Sequence, residues 1–301
     1  MKIAATLLNR SEKRVSVELE NIARDNRLRI FSMTRLSDII DRAGSHLTQR
    51  EFDFYTRSHA DFVIADADTK PLMIVEYDGP MHLDARQQER DRIKNELCRR
   101  AGLGLLRIHD RHVTKLYRGM SVLRWIVEVS ELEKAFAEAQ TKGEVPHDEP
   151  FDPAFIMSVG DRNKYPYWLS ASATQSFHNF FKKLNSNKHY GWHSIVAYDD
   201  DGTGRRLSWL YFDEKIIWAK TSVRRQDLDF PHDDLLDQID TCELGIRLQK
   251  YISGEIRAIS INEFQLIFDP FCERYNPRPS HSMGKFPFAR SWDFASGWKG
   301  K

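Results

Sequence analysis

Asp61, Glu76, Asp78 and His82 are the residues of this 301-residue chain whose types and spacing suit chemistry. Two short apolar runs, Phe62–Ala65 and Leu72–Val75, flank a cluster of Asp, Thr, Lys and Pro. That pattern predicts two neighbouring strands joined by a tight turn. Asp61 begins the first run, and Glu76 and Asp78 end the second on one face, because strand side chains repeat every two residues. Three carboxylates at one sheet edge repel one another unless a divalent cation neutralises them, and oxygen ligands of this kind suit Mg²⁺ or Mn²⁺. Gly79 permits a sharp turn, and His82 follows within reach of the same edge. The plain alternative is that these carboxylates only start and finish strands beside polar turns. A single one would be read that way; three, followed by Gly-x-x-His and an Asp-x-x-Lys helix, argue for a site.

The elements around this stretch are those that must hold it. Residues 6–24 predict an amphipathic helix with Ser11 as N-cap and Val15, Leu19 and Ile22 on its apolar face. Residues 28–40 read as a strand running into a short helix, and the basic stretch 43–58, with Arg50 and Arg57, as a loop or ragged strand. Residues 83–102 predict a helix from strong helix formers, the Ile93/Leu97 pair and Gly102 as a stop. Gln87, Asp91, Lys94 and Asn95 share one of its faces, which points at the carboxylates if the helix packs behind the hairpin. Leu103–Ile108 then reads as a buried strand, entered in parallel after a crossover helix. Ser121–Gln140 is a further amphipathic helix. Residues 141–153 have the composition of a linker, which predicts two domains, 1–143 and 144–301.

Asp61-Phe62-Val63, Glu76-Tyr77-Asp78-Gly79, His82, Asp91 to Lys94 and Gly102 through Ile108 occur in that order. In this the chain resembles the PD-(D/E)XK nuclease superfamily, and within it the DUF2726-type branch, over roughly its first 110–140 residues. The resemblance implies a restriction-endonuclease-like α/β fold, a mixed sheet flanked by helices. It implies Asp61 and Glu76 as metal ligands, with the Tyr77 main-chain carbonyl completing the inner shell around Mg²⁺, for which Mn²⁺ would substitute. The superfamily's usual third residue is a lysine that orients and helps deprotonate water; here that position is Asp78. Either Asp78 is a further ligand, or the lysine's role has moved to Lys94. His82 is then a proton carrier or a partner of a carboxylate. Glu12 is a second-tier candidate, because a first-helix Glu often leans toward the metal in that family; its plainer role is to complement the helix dipole. Asp91 and Gln88 are second-tier as well, Asp91 being equally well read as half of an exposed ion pair with Lys94.

The second half carries no comparable motif. Trp192–Tyr198, Arg206–Phe212 and Lys215–Ala219 predict antiparallel strands, with Asp199–Gly202 turning between the first two, and Leu235–Ile252 a helix. The domain is expected to be α+β, recognising substrate or partner. Tyr165, Tyr167, Trp168, Phe177, Phe180 and Phe181 alternate with lysines in a way that suits base stacking, although core aromatics with surface lysines explain the pattern more simply. Residues 276–301, rich in Pro, Ser and Gly, are expected to wrap the surface or dock on a partner.

Composition sets limits on function. A net charge of +1 gives no global attraction to nucleic acid, so any such contact must be a local patch. Three scattered cysteines suit a reducing compartment, and no apolar run approaches membrane-spanning length. A soluble cytoplasmic protein with no membrane partner is expected. From the resemblance, the expected activity is Mg²⁺-dependent hydrolysis of phosphodiester bonds, in DNA first and RNA second, in repair, restriction or defence against phage. A protein partner or homo-oligomer through the C-terminal domain is compatible with it. The alternative is a catalytically silent module of the same fold that binds nucleic acid or protein within a larger complex.

Overall fold

The computed structural model describes residues 8–78, 85–153, 168–184, 189–226, 228 and 230–285, and the backbone of 292–293 and 297–298. The chain forms two compact units, Met1–Tyr167 with Gln226–Phe230, and Trp168–Arg225 with Pro231–Lys301.

In the first unit, α1 (Arg10–Asn26) buries Val15, Leu19 and Ile22, the predicted stripe. Its N-cap is Asn9 rather than Ser11, and Glu12 closes a capping box by accepting from the Asn9 N–H at 2.9 Å. Asn9 caps better than Ser11 because Glu12 stands three residues on from it. β1 (Arg29–Arg35) leads into α2 (Leu36–Ile39), as expected. The stretch read as a loop is instead α3 (Gln49–Arg57), started by a Thr48–Glu51 capping box and anchored by buried Tyr55, whose hydroxyl donates to the Ile40 carbonyl at 2.7 Å. Its many polar residues are simply the exposed side of a short amphipathic helix.

β2 (His59–Ala65) and β3 (Pro71–Tyr77) form the predicted hairpin, and α4 (Ala85–Arg100) crosses to β4 (Gly104–Ile108). The sheet order is β1-β2-β3-β4, antiparallel except for the parallel β3–β4 pair. Gly102, at φ +64°, ends α4 where only glycine turns left-handed without strain, and the Leu103 N–H reaches back to the Cys98 carbonyl. Val63, Ile74 and Leu105 face Ile93, Leu97 and Cys98 of α4 in one core. α5 (Arg111–Thr114), β5 (Leu116–Tyr117) and β6 (Met120–Ser121) lead to α6 (Val122–Thr141), capped by the Ser121 hydroxyl. Arg124, nine-tenths buried, ties α6 to α1 by an ion pair to Asp25 (2.7 Å) and also pairs within α6 with Glu128 (3.0 Å).

In the second unit, β7 (Tyr190–Tyr198), β8 (Gly204–Phe212) and β9 (Lys215–Val223) form the predicted meander. α7 (Ala171–Lys183) and α8 (His232–Ile252) cover one face through Phe177, Phe181, Leu244 and Leu248. β10 (Ile259–Ser260) and α9 (Ile261–Tyr275) follow; Phe264, Phe268 and Phe271 of α9 cover the other face, against Leu207 and Trp209. β11 (Arg278–Gly284) adds an edge strand to β7, so residues 278–284 belong to the sheet rather than to a surface wrap. β12 (Trp292–Asp293) pairs with β13 (Gly297–Trp298). Phe177 and Phe181 are core while Lys182 and Lys183 are exposed, the simpler reading of that stretch. Tyr165 and Tyr167 lie outside the described residues.

Candidate functional site

The register Phe62↔Val75 puts Asp61 across from Glu76, and the parallel register pairs Glu76 with Arg107. Asp61, Glu76 and Arg107 therefore form one row across three strands, on the face that meets α4 and one step beyond its apolar core. Like charges directly opposite on paired strands repel, so this row needs cations. Lys94 supplies one. Ile93 and Leu97 fix the rotation of α4, which carries the Lys94 ammonium into the row, where it donates to Glu76 Oε2 at 2.6 Å and to the His59 carbonyl at 2.9 Å. Glu76 and Lys94 are each only 8% exposed.

One lysine does not balance two carboxylates, Glu76 buried and Asp61 partly buried. Burial raises the Glu76 pKa, Lys94 and Arg107 oppose the shift, and neighbouring Asp61 adds to it. Burial also raises Asp61, against the Tyr77 N–H (2.8 Å from Oδ2) and Lys94, while Glu12 and Asp78 push it further up. Burial is the largest cause of both shifts, and the two carboxylates share one ammonium. Backbone strain lies beside the pair: Met33, between the pairs Ser32↔Phe62 and Thr34↔Ala60 and so across from Asp61, has φ +52°.

The other predicted residues divide sharply. Asp78 follows β3 and faces Arg107, its Oδ1 3.4 Å from Nη1. Asp91 accepts from Gln87 at 3.0 Å and lies 3.3 Å from Arg107. Asn95 accepts from the same guanidinium at 2.9 Å. Tyr77 directs its phenol away, donating to Asp110, which also holds Arg14 at 2.6 Å. Glu12 is committed to its capping box yet close enough to act on Asp61. Gln88 is exposed on α4. Gly79 and His82 lie outside the described residues.

Arg107 is the residue that sequence reasoning missed. Its signal was present: one arginine within the apolar run Gly104–Ile108 must find partners once buried. It is 7% exposed and gathers Asp78, Asp91 and Asn95. On the strand's outer side its backbone N–H donates to Gln226 Oε1 at 2.7 Å. The His109 and His112 rings stack beyond it at 3.9 Å. Burial pushes His112 down to about 3, aided by His109 and Arg111, so it is neutral at physiological pH.

No group of three or more His, Cys, Asp or Glu side chains arranged to hold a metal ion occurs among the described residues. Two carboxylates remain a sufficient protein contribution for Mg²⁺, which keeps several waters and takes one or two carboxylates besides the substrate's phosphate. Asp61 and Glu76, sharing one ammonium, fit such an ion. No helix among the described residues is long and apolar enough to cross a membrane.

Residues 4–120 match the family described as "Protein of unknown function (DUF2726)". An uncharacterized protein of Haemophilus influenzae is 27% identical over 100 residues, which are 32% of this chain and 50% of that protein. The chain thus spans half the length of this curated relative. No solved structure matches. What the comparisons establish is a likeness of the N-terminal region to DUF2726 proteins.

Proposed function

We propose that the first unit is a metal-dependent nuclease that hydrolyses phosphodiester bonds of DNA, with RNA as the second candidate. The observation that carries this reading is the Asp61–Glu76 pair, opposed on adjoining strands, with Glu76 buried and met by Lys94 at 2.6 Å. The order of elements supports a restriction-endonuclease-like core: a helix, three antiparallel strands with two short helices between the first and second, a crossover helix and a parallel fourth strand. Asp61 and Glu76 would hold Mg²⁺, with the Tyr77 carbonyl beside them. Bound there, the ion would lower the pKa of a water and neutralise charge on the phosphate. Lys94, set against Glu76, would orient that water and stabilise the hydroxide formed from it, which favours Lys94 for the lysine role over Asp78. Asp78 serves instead to neutralise Arg107, which in turn holds Asp91 and Asn95 and so fixes the rotation of α4.

One observation favours a silent binding module: Lys94 occupies Glu76 Oε2 at ion-pair distance. A cleavage panel of single-stranded DNA, duplex DNA and RNA, with Mg²⁺, Mn²⁺ or EDTA, separates the two readings. Wild type should cut with metal and stop in EDTA, and Glu76→Gln should lose on the order of a thousandfold in rate while its melting profile shows it folded. Undiminished cutting by Glu76→Gln would sink the ligand assignment. Absence of cutting by wild type, with no metal-induced rise in melting temperature, would establish the silent module.

A further inference from the structure

The second unit gathers three cations around a single aromatic ring. The Tyr275 ring, near the C-terminus of α9, has the Arg205 guanidinium carbon 5.1 Å from its centroid, Arg274 at 5.0 Å and the Lys220 ammonium at 5.7 Å. Lys220 also lies 5.4 Å from the Phe271 ring, and Phe271 stands 5.1 Å from Tyr275. The cations come from the hairpin strands β8 and β9 and from α9, some fifty residues further on, and the sheet register explains the meeting of the first two. Leu207 pairs with Lys220, so Arg205 and Lys220 are diagonal neighbours on the face covered by α9.

Lys220 and Arg274 are exposed, and Arg205 is half-buried. Three cations this close repel one another, since their separations are comparable to a Debye length at physiological salt. The electron-rich ring offsets part of that repulsion. Asp199 offsets another part by accepting from Arg205 Nε at 2.8 Å, and Asp201 in the same turn acts on Arg205 electrostatically. Lys220 and Arg274 form no ion pair among the described residues. The remaining positive charge awaits an anion.

We propose that this surface, Arg205, Lys220 and Arg274 around Tyr275, binds the phosphate backbone of nucleic acid. Guanidinium forks match phosphate oxygens in pairs, and an ammonium binds them as a point charge. The cations lie against the ring, so the surface offers charge rather than a stacking platform, and the contact is with backbone, independent of base sequence. The choice of nucleic acid over an acidic protein rests on the nuclease reading of the first unit.

The test is fluorescence anisotropy of a labelled DNA duplex with the full chain in EDTA, across a salt series. Lys220→Gln combined with Arg274→Gln should weaken binding about tenfold near physiological salt and flatten the slope of log K against log salt by about two, one counterion for each lost phosphate contact. Asp199→Asn, which releases Arg205, should strengthen binding. Absence of duplex binding by wild type, or an unchanged affinity and slope in the double variant, would overturn the proposal. So would displacement of the duplex by polyglutamate as efficiently as by unlabelled DNA of equal charge, which assigns the surface to an acidic protein. Binding in EDTA is independent of cleavage, so this proposal and the nuclease reading fail by different results.

Discussion

Both units bury charge between a sheet and the helix that covers it, and they settle that charge in opposite ways. In the first, two carboxylates, Asp61 and Glu76, face one lysine at the ends of their strands, and Asp61 retains partial access to solvent. In the second, Arg206 is 5% exposed and stands between two aspartates of α8, contacting Asp237 and lying 3.5 Å from fully buried Asp240, while donating to Ser194 Oγ at 2.8 Å. Burial raises Asp240 to about 6, against the pull of Arg206 and of the Ser208 and Thr221 hydroxyls. Buried ionisable groups alone therefore do not mark a site. In the first unit Asp61, beside buried Glu76, stays partly exposed; Asp240 is sealed between α8 and the sheet, where its role is to match Arg206.

Substitutions sharpen this contrast, beginning with the largest effect. Lys94→Ala should lower metal-dependent cleavage about a hundredfold to a thousandfold, whereas Asp78→Asn should change it less than about tenfold. Single-turnover rates measured side by side decide it; the reverse order would make Asp78 a further metal ligand and take the water-orienting role from Lys94. Next is stability. Arg206→Met leaves Asp240 buried without its cation and should cost roughly 3–5 kcal/mol in urea unfolding, with no loss of cleavage rate per folded molecule. A matching rate loss would mean that the second unit takes part in catalysis.

A smaller effect concerns Arg107. Arg107→Lys keeps the charge but cannot span Asp78, Asp91 and Asn95 together, so α4 should loosen. The melting temperature should fall by several degrees, of the order that about 1–2 kcal/mol produces, and the cleavage rate should fall less than for Lys94→Ala. Equal rate losses would show that Arg107 itself acts at the reaction centre.

The smallest effect is on pH dependence. Asp240 binds its proton more tightly folded, at about 6, than unfolded, at its ordinary 3.8. The folded state then holds more protons between these values, so stability falls as pH rises from about 4 to 6 and the loss is complete above 6. Asp240→Asn should flatten that part of a melting-temperature profile. Asp61 and Glu76, also raised, contribute a slope of the same sign. Mg²⁺ should remove their part while leaving that of Asp240, so an identical response of all three to the ion would break the contrast between the two units.

How far the sequence could be read follows from the range of each interaction. The Phe62–Ala65 and Leu72–Val75 strands, the stop at Gly102 and the meander from Trp192 to Ala219 rest on alternation and turn chemistry within a few residues. All of them were legible. The 49–57 helix was not, because its polar face outweighed the few apolar residues that Tyr55 anchors. Residues 278–284 were missed as a strand because an edge strand with exposed alternate positions carries little hydrophobic signal.

The sequence by itself determined the residue types at the site and their order: two carboxylates bracketing a hairpin, then a helix bearing Lys94. Strand alternation puts Glu76 and Asp78 on one face whatever surrounds them. Only the tertiary structure decided how the charges are shared. The hairpin register put Asp61 across from Glu76, the packing of Ile93 and Leu97 turned Lys94 onto Glu76, and the parallel register of β4 brought Arg107 up to take Asp78. Such pairings depend on which charges meet between residues 15–29 positions apart. Local periodicity carries no information about that, because the energy of burying a charge is set by its partner.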